Sequence, residues 1–154
     1  MPPSAFIALL LPAAQALQRA HGIPASLTLA QAALETGWGE RAPGNNLFGI
    51  KADAAWKGPA VDVTTHEVIK GERIKMVCRF RAYPTLSDSV ADRADFFLKN
   101  PRYKGCFKQR GGEAWAHAVA EAGYATDPGY AKSLIAVMRG RNMAQYDILP
   151  VVKP

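Results

Sequence analysis

Cysteine is scarce in this chain: Cys78 and Cys106 are the only two among 154 residues, and their spacing fits neither a disulfide framework nor a zinc site. Both read as free thiols. Histidine is as thin, with His21, His66 and His117 scattered along the sequence, and no Ser-His-Asp, phosphate-loop or metal-ligand pattern occurs. No metal or organic cofactor is implied. Lysine and arginine exceed the acids to leave a formal charge of +6, which favours an anionic partner: nucleic acid, a membrane surface or a bacterial wall. The basic residues form no dense run and are not interleaved with aromatics, so a role on DNA or RNA is the weaker alternative. A long apolar run is also missing. Phe6 to Leu17 is divided by Pro12 and is too short to cross a bilayer, and no Lys or Arg precedes it, which speaks against a secretory leader.

What the chain does have is the composition of one soluble domain, 49% hydrophobic and 21% charged, at a length that buries a core without covalent staples. The first stretch reads as a helix from Ser4, a plausible N-cap, to His21, with Gly22 ending it and Pro12 kinking it. Leu27, Leu29, Ala30, Ala32, Ala33 and Leu34 predict a second helix, buried on most of its surface, from near Pro24 to Gly37. The period then changes. Val61, Val63 and Thr65, followed by Ile74, Met76, Cys78 and Phe80, recur every second residue around a Lys70-Gly71 turn, the pattern of a β-hairpin. Helical spacing returns with Val90, Ala94, Phe97 and Leu98 after a Thr85 or Ser87 cap, with Trp115 and Val119 before Gly123, and with Tyr130, Leu134 and Met138 after Asp127-Pro128. Helices, hairpin, helices is the order of an α+β domain whose helical lobe and small β lobe meet at a cleft.

Residues 30 to 51, AQAALETGWGERAPGNNLFGIK, carry the chemistry. Glu35 stands in the last turn of the apolar second helix, where the helix dipole and the apolar surroundings both disfavour a charged carboxylate and raise its pKa. A carboxyl so raised works as a general acid near neutral pH. Gln31, four positions earlier, marks the wetter side of the helix that Glu35 shares. Taken alone, Glu35 reads sooner as a solvated glutamate near a helix end, as most such glutamates are; the glycine-aromatic loop that follows it argues otherwise.

That loop, with AQAALETGWG, NNLFGIKA, WKGP, TTHE, FRAY, NPRY and GYATDPGYA in order from about residue 5 to about residue 138, resembles the flagellar-type endo-β-N-acetylglucosaminidases of glycoside hydrolase family 73. The likeness is greatest to the peptidoglycan-hydrolysing domain of the flagellar members. It implies a lysozyme-like fold, a catalytic domain over 1–141 and a C-terminal tail over 142–154, in which Ile148, Leu149, Val151 and Val152 are available to pack on the domain.

Glycoside hydrolysis calls for a second group opposite the acid. Glu67, in Thr64-Thr65-His66-Glu67 on the first hairpin strand, stands where the family carries its β-lobe glutamate, and by alternation it shares a face with Val63 and Thr65. The competing reading is an exposed charge on an edge strand; Glu72, at the turn, is the other candidate and looks solvated. Tyr124, after the helix-ending Gly123, matches the family tyrosine that contributes to catalysis, where a phenol can bond a substrate N-acetyl group or position a water; core packing with a satisfied hydroxyl is the alternative. Trp38, Phe48 and Tyr83 are candidates to stack on pyranose faces, or else core. Asn46 and Lys51 either hold the loop or bind sugar hydroxyls, and His66 is near enough to Glu67 to modulate it.

The resemblance therefore implies a peptidoglycan hydrolase that cleaves the β-1,4 bond after N-acetylglucosamine, with Glu35 as acid and Glu67 and Tyr124 assisting. The alternatives are a lysozyme or lytic transglycosylase acting after N-acetylmuramic acid, and a peptidoglycan-binding module without catalysis. The expected partner is the glycan strand, met by a monomer without nucleic acid or stable membrane insertion. The flagellar members carry a further domain before the catalytic one. Its absence here, with no signal peptide, sets the expectation of a phage or prophage endolysin or a delivered effector, made in the cytoplasm and acting in the periplasm or on the wall after release or export.

Overall fold

The computed structural model describes residues 1–148 as a helical body with one antiparallel hairpin laid against it. Helix α1 (Pro3–His21) and helix α2 (Ala25–Thr36) come first, strands β1 (Ala60–Ile69) and β2 (Glu72–Arg81) form the hairpin, and α3 (Leu86–Lys99), α4 (Gly112–Glu121) and α5 (Tyr130–Gly140) complete the body. Short 3-10 segments at Pro43–Asn45, Pro101–Lys108 and Met143–Tyr146 join them. The order and the two lobes are those expected from the sequence.

Helix α2 is the centre of the body. Every residue in it except Leu34 and Glu35 is buried, because α1, α4 and α5 and the segment 143–146 all pack on it. Around it close Phe6, Leu10 and Ala14 of α1, Val90 and Phe97 of α3, Trp115 and Val119 of α4, and Leu134 and Met138 of α5. Each large apolar side chain so enclosed contributes about 1.5–3 kcal/mol relative to exposure.

Helix α1 does not begin at a serine cap. It starts at Pro3 with Pro2 in the cap position and no side-chain cap bond, while Phe6 N–H donates to the Pro2 carbonyl at 3.0 Å. Two prolines suit a first turn, since their φ is preset and they bring no N–H that would lack a partner. Thr85 does cap α3, accepting from the Asp88 N–H at 3.1 Å.

The hairpin has the register expected, Val61 opposite Phe80, Val63 opposite Cys78, Thr65 opposite Met76 and Glu67 opposite Ile74. The turn is Lys70-Gly71, with φ of 51° and 80°, a pair of left-handed residues that matches the twist of the strands. Cys78 is buried on the inner face and Val77 is exposed on the outer one. Both cysteines are free thiols.

Residues 142–148, set apart in the sequence as the start of a tail, are bonded to the helical body. Met143 is fully buried, Gln15 Nε2 donates to the Tyr146 carbonyl at 3.0 Å, and Ile148 N–H donates to Gln18 Oε1 at 2.9 Å. Asp147 accepts from both the backbone N–H and the hydroxyl of Ser26, each at 2.7 Å. Pro24 in the cap position of α2 offers no side-chain acceptor, so a carboxylate from the far end of the chain caps the helix instead. Leu149, Val151 and Val152 lie outside the described residues.

Replacing Asp147 with alanine should therefore lower stability by about 1–2 kcal/mol, the usual worth of an N-cap, as read by urea unfolding. Unchanged stability would mean that 142–148 merely rests on α2.

Candidate active site

Between the hairpin and the helical body runs a cleft of about 840 Å³. Glu35 lies in it beside Gly49 and Ile50, with Thr65 and Glu67 of β1 on one side and Tyr124, Thr126 and Tyr130 on the other.

Glu35 is in the last turn of α2, which ends at Gly37 in the left-handed region with φ of 59°. The chain then folds back so that Gly49, also at positive φ (65°), lies over the carboxyl: a Cβ there would come within 3.0 Å of Glu35 Oε2. Only glycine meets both conditions at this point. Glu35 Oε1 accepts the Tyr130 hydroxyl at 3.2 Å. Burial pushes the Glu35 pKa from 4.5 up to about 7; the Tyr130 hydrogen bond pulls it down, and the negative charge of Glu67 pushes it further up. The direction is that expected from the sequence, and loss of water is its leading cause.

Glu67 faces the same cleft. Its Oε1 lies 3.1 Å from Lys51 Nζ, and its Oε2 accepts the Thr126 hydroxyl at 3.2 Å. Thr126 Oγ1 in turn accepts the Val68 N–H at 3.0 Å. The hairpin end is thus tied to the loop between α4 and α5, and Lys51 holds the carboxylate from below. Glu72 is exposed at the start of β2 and does not line the cleft. His66 lines the cleft next to Glu67.

Tyr124 lines the cleft with its ring, stacked on Tyr130 at 5.7 Å between centroids and 9° between planes. Its hydroxyl donates to the Phe48 carbonyl at 2.6 Å, so it secures the loop that covers Glu35. Burial pushes its pKa well up, with the charge of Glu35 adding to the effect.

The aromatic residues expected to stack on sugar rings are placed otherwise. Trp38 packs edge-on against Phe6, with Arg141 over its face, and lies outside the cleft. Tyr83 is also outside it, buried with its hydroxyl on Asp92 and its ring against Trp56. Phe48 borders the cleft but has no exposed surface; Arg93 covers its ring. Each of the three rings packs against a residue distant in sequence, Phe6, Trp56 or Arg93, a contact that residue type alone does not reveal. Asn46 holds the loop: its Nδ2 donates to the carbonyls of Ile50 and Arg81, each at 2.9 Å, and its Oδ1 accepts from Phe48 and Ile50 N–H at 3.2 and 3.3 Å.

Gln31 is not on a wet face. It is fully buried, donating from Nε2 to the Tyr130 hydroxyl at 3.0 Å and accepting at Oε1 from Arg93 Nε at 2.9 Å. Tyr130 and Arg93 were missed as site residues. Tyr130 falls on the apolar period of α5, and Arg93 is one of several charged residues on α3, so neither carries a local mark; only the unexplained glutamine in α2 points to buried partners. Among the described residues no three His, Cys, Asp or Glu side chains gather to hold a metal, and no helix is long and apolar enough to cross a membrane.

A family model described as mannosyl-glycoprotein endo-β-N-acetylglucosaminidase matches residues 11–143. Over 137 residues the chain is 42% identical to the peptidoglycan hydrolase FlgJ of Escherichia coli strain K12, covering 84% of this chain and 44% of that protein. It superimposes on a mutant of a peptidoglycan hydrolase from Sphingomonas sp. A1 with a TM-score of 0.85 and 40% identity, over 92% of this chain and 96% of that one. A truncated glycoside hydrolase domain of Salmonella typhimurium FlgJ matches with a TM-score of 0.75 and 38% identity, over 92% and 99% of the two chains. The chain spans under half the length of the FlgJ proteins it matches. Its fold is the lysozyme-like α+β arrangement of these domains.

A carboxyl whose folded pKa is above its unfolded one binds protons more tightly when folded, so stability falls as pH rises from 4.5 to about 7. Glu35→Gln should therefore be more stable than the parent at pH 8, by about 3 kcal/mol, and nearly equal at pH 4. Denaturant unfolding at both pH values checks this; equal stability at pH 8 would show that Glu35 is not desolvated.

Proposed function

The chain belongs to the glucosaminidase family, and from that premise we propose that it hydrolyses the β-1,4 bond after N-acetylglucosamine in the glycan strands of bacterial peptidoglycan. The observation that carries this reading is the Glu35 carboxyl, held near neutrality by burial at about pKa 7 in a cleft that also holds Glu67. An acid of that strength is substantially protonated at pH 7 and can give its proton to the departing glycosidic oxygen, which water alone protonates poorly. Glu67, with Lys51 and Thr126 fixing its two oxygens, then serves the sugar that gains positive charge, by steadying that charge or by activating the attacking water. Tyr124 contributes through the loop, since its hydroxyl on the Phe48 carbonyl keeps residues 48 and 49 in place over the acid. The substrate lies outside the cytoplasmic membrane, so the chain is proposed to act in the periplasm or on the wall.

Mass spectrometry of the fragments released from purified sacculi tests the reaction: a reducing N-acetylglucosamine end is expected. A reducing muramic acid end, or an anhydro sugar, would overturn it in favour of a lysozyme or lytic transglycosylase. Binding to sacculi with no release would make the chain a binding module.

Glu35→Gln should keep the fold and lose lysis by about 100- to 10,000-fold, the usual worth of a general acid. Glu67→Gln should be folded and strongly impaired, and Tyr124→Phe should fall between Glu67→Gln and the parent. Activity should decline as pH rises through about 7, where Glu35 gives up the proton it must deliver. Near-normal lysis by folded Glu35→Gln would remove the acid from Glu35, and greater damage from Glu72→Gln than from Glu67→Gln would remove the second role from Glu67.

A further inference from the structure

Arg93 is a fully buried cation with no carboxylate within ion-pair distance among the described residues. Such a charge is costly unless something requires it. Its guanidinium lies between two aromatic rings, 4.6 Å from the centre of Phe48 and 4.9 Å from that of Phe97. Nη1 donates to Thr28 Oγ1 and Nε to Gln31 Oε1, each at 2.9 Å, while Nη2 has no partner among the described residues. Burial draws its pKa down to about 10, which still leaves it charged at any pH of interest. The mechanism above does not use it.

The bonds leading from it have only one consistent direction. Arginine donates and never accepts, so the Gln31 atom at Arg93 Nε is the carbonyl oxygen and the amide nitrogen is turned towards Tyr130. The Tyr130 oxygen receives that N–H, at 3.0 Å, and its own proton has Glu35 Oε1 as acceptor, at 3.2 Å. Were Glu35 protonated on Oε1 and donating, the Tyr130 oxygen would take two donors and its own hydrogen would face no acceptor.

We infer that Arg93 and Gln31 are positioning residues that orient the Tyr130 hydroxyl as a permanent donor to Glu35 Oε1 and so reserve Oε2 for the proton that is transferred. Oε2 is the oxygen beneath Gly49, a residue with no side chain to cover it, in the cleft that both line. The row also places a donor and, behind it, a positive charge where the carboxylate appears once the proton has left. The charged and titratable groups acting on Glu35 are Tyr130 on α5, Tyr124 on the loop before it, Glu67 with Lys51 across the cleft, and Arg93 behind Gln31, while His66, Arg73 and Arg81 of the hairpin, Asp53 beyond Lys51, and Arg102 and Asp127 of the helical body line the same cleft.

The inference rests on the proposed hydrolysis, and its test separates the two. Gln31→Glu preserves size and gives Arg93 an acceptor, but has no N–H for Tyr130 and draws the tyrosine proton away from Glu35. It should remain folded, keep KM within about twofold, and lose kcat by at least about tenfold, a fraction of the 100-fold that a one-ångström misplacement can cost. The alkaline limb of the pH profile should move to higher pH, because Glu35 loses a hydrogen bond that favours its ionised form and gains a negative neighbour. Tyr130→Phe should move the same limb, and on its acidic side, where Glu35 keeps its proton in every variant, kcat of the double variant should be no lower than that of Tyr130→Phe, since there Gln31 acts through the tyrosine. Carbon-13 NMR titration of the Glu35 carboxyl reads the same shift without substrate. A Glu35 titration unchanged in either variant, or losses that multiply in the double variant, would overturn the inference. An inactive parent protein with the titration shift intact would overturn the proposed hydrolysis, and with it the role of Oε2 in transfer, while leaving the orientation of Tyr130 on Oε1 standing.

Discussion

An α-helix packed on every side can keep a polar side chain only where a partner is brought to it. Helix α2 is such a helix, and three of its polar residues, Thr28, Gln31 and Glu35, fall three and four positions apart, in one stripe along one face. The neighbouring helices are placed to answer that stripe. Arg93 of α3 reaches Thr28 and Gln31, and Tyr130 of α5 reaches Gln31 and Glu35. The first two polar groups find partners within the core, and the third, at the helix end, opens onto the cleft. The acid is therefore the last member of a buried polar stripe rather than a surface group that has been covered.

The loop after α2 completes this placement. Asn46 fills all its hydrogen-bonding capacity on the backbone of its own loop and of β2, and Leu47 N–H is received by Ser89 of α3 at 3.0 Å. Those bonds set the path of residues 47–50 so that Gly49 meets the Glu35 carboxyl. Ala52 N–H to the Arg79 carbonyl, at 2.9 Å, and Arg81 N–H to the Ile50 carbonyl, at 3.1 Å, then continue the same segment alongside β2. One stretch of chain thus covers the acid and fixes the base of the hairpin that carries Glu67.

What could be read from the sequence was whatever a single element records about itself. The ends of α2, the Thr85 cap, the Lys70-Gly71 turn and the hairpin register all follow from spacing within one segment, and so does the place of Glu35 in the last turn of an apolar helix. What could not be read depended on contacts between distant segments. Spacing alone puts Gln31 on a wet face because its partners, 62 and 99 positions away, leave no trace in the local pattern. Trp38 and Tyr83 looked available to sugars for the same reason, since Phe6 and Asp92 claim them from other elements. The segment 101–108 is a 3-10 helix whose apolar residues Tyr103 and Cys106 repeat every third position, too short a pattern to separate from a loop.

The two carboxylates stand on parts of the chain with unequal freedom to change. Glu35 is locked into the core by a helix that no substitution on its buried faces leaves untouched, whereas Glu67 rides on a two-stranded ribbon whose outer residues face solvent. A hairpin can be lengthened, shortened or shifted by an even number of residues and still turn the same face inward, carrying its carboxylate nearer to the acid or farther from it. In glycoside hydrolysis that separation governs whether the anomeric configuration is kept or reversed. Descent with changes confined to the ribbon can therefore alter the stereochemical course of the reaction while the proton donor stays where it is.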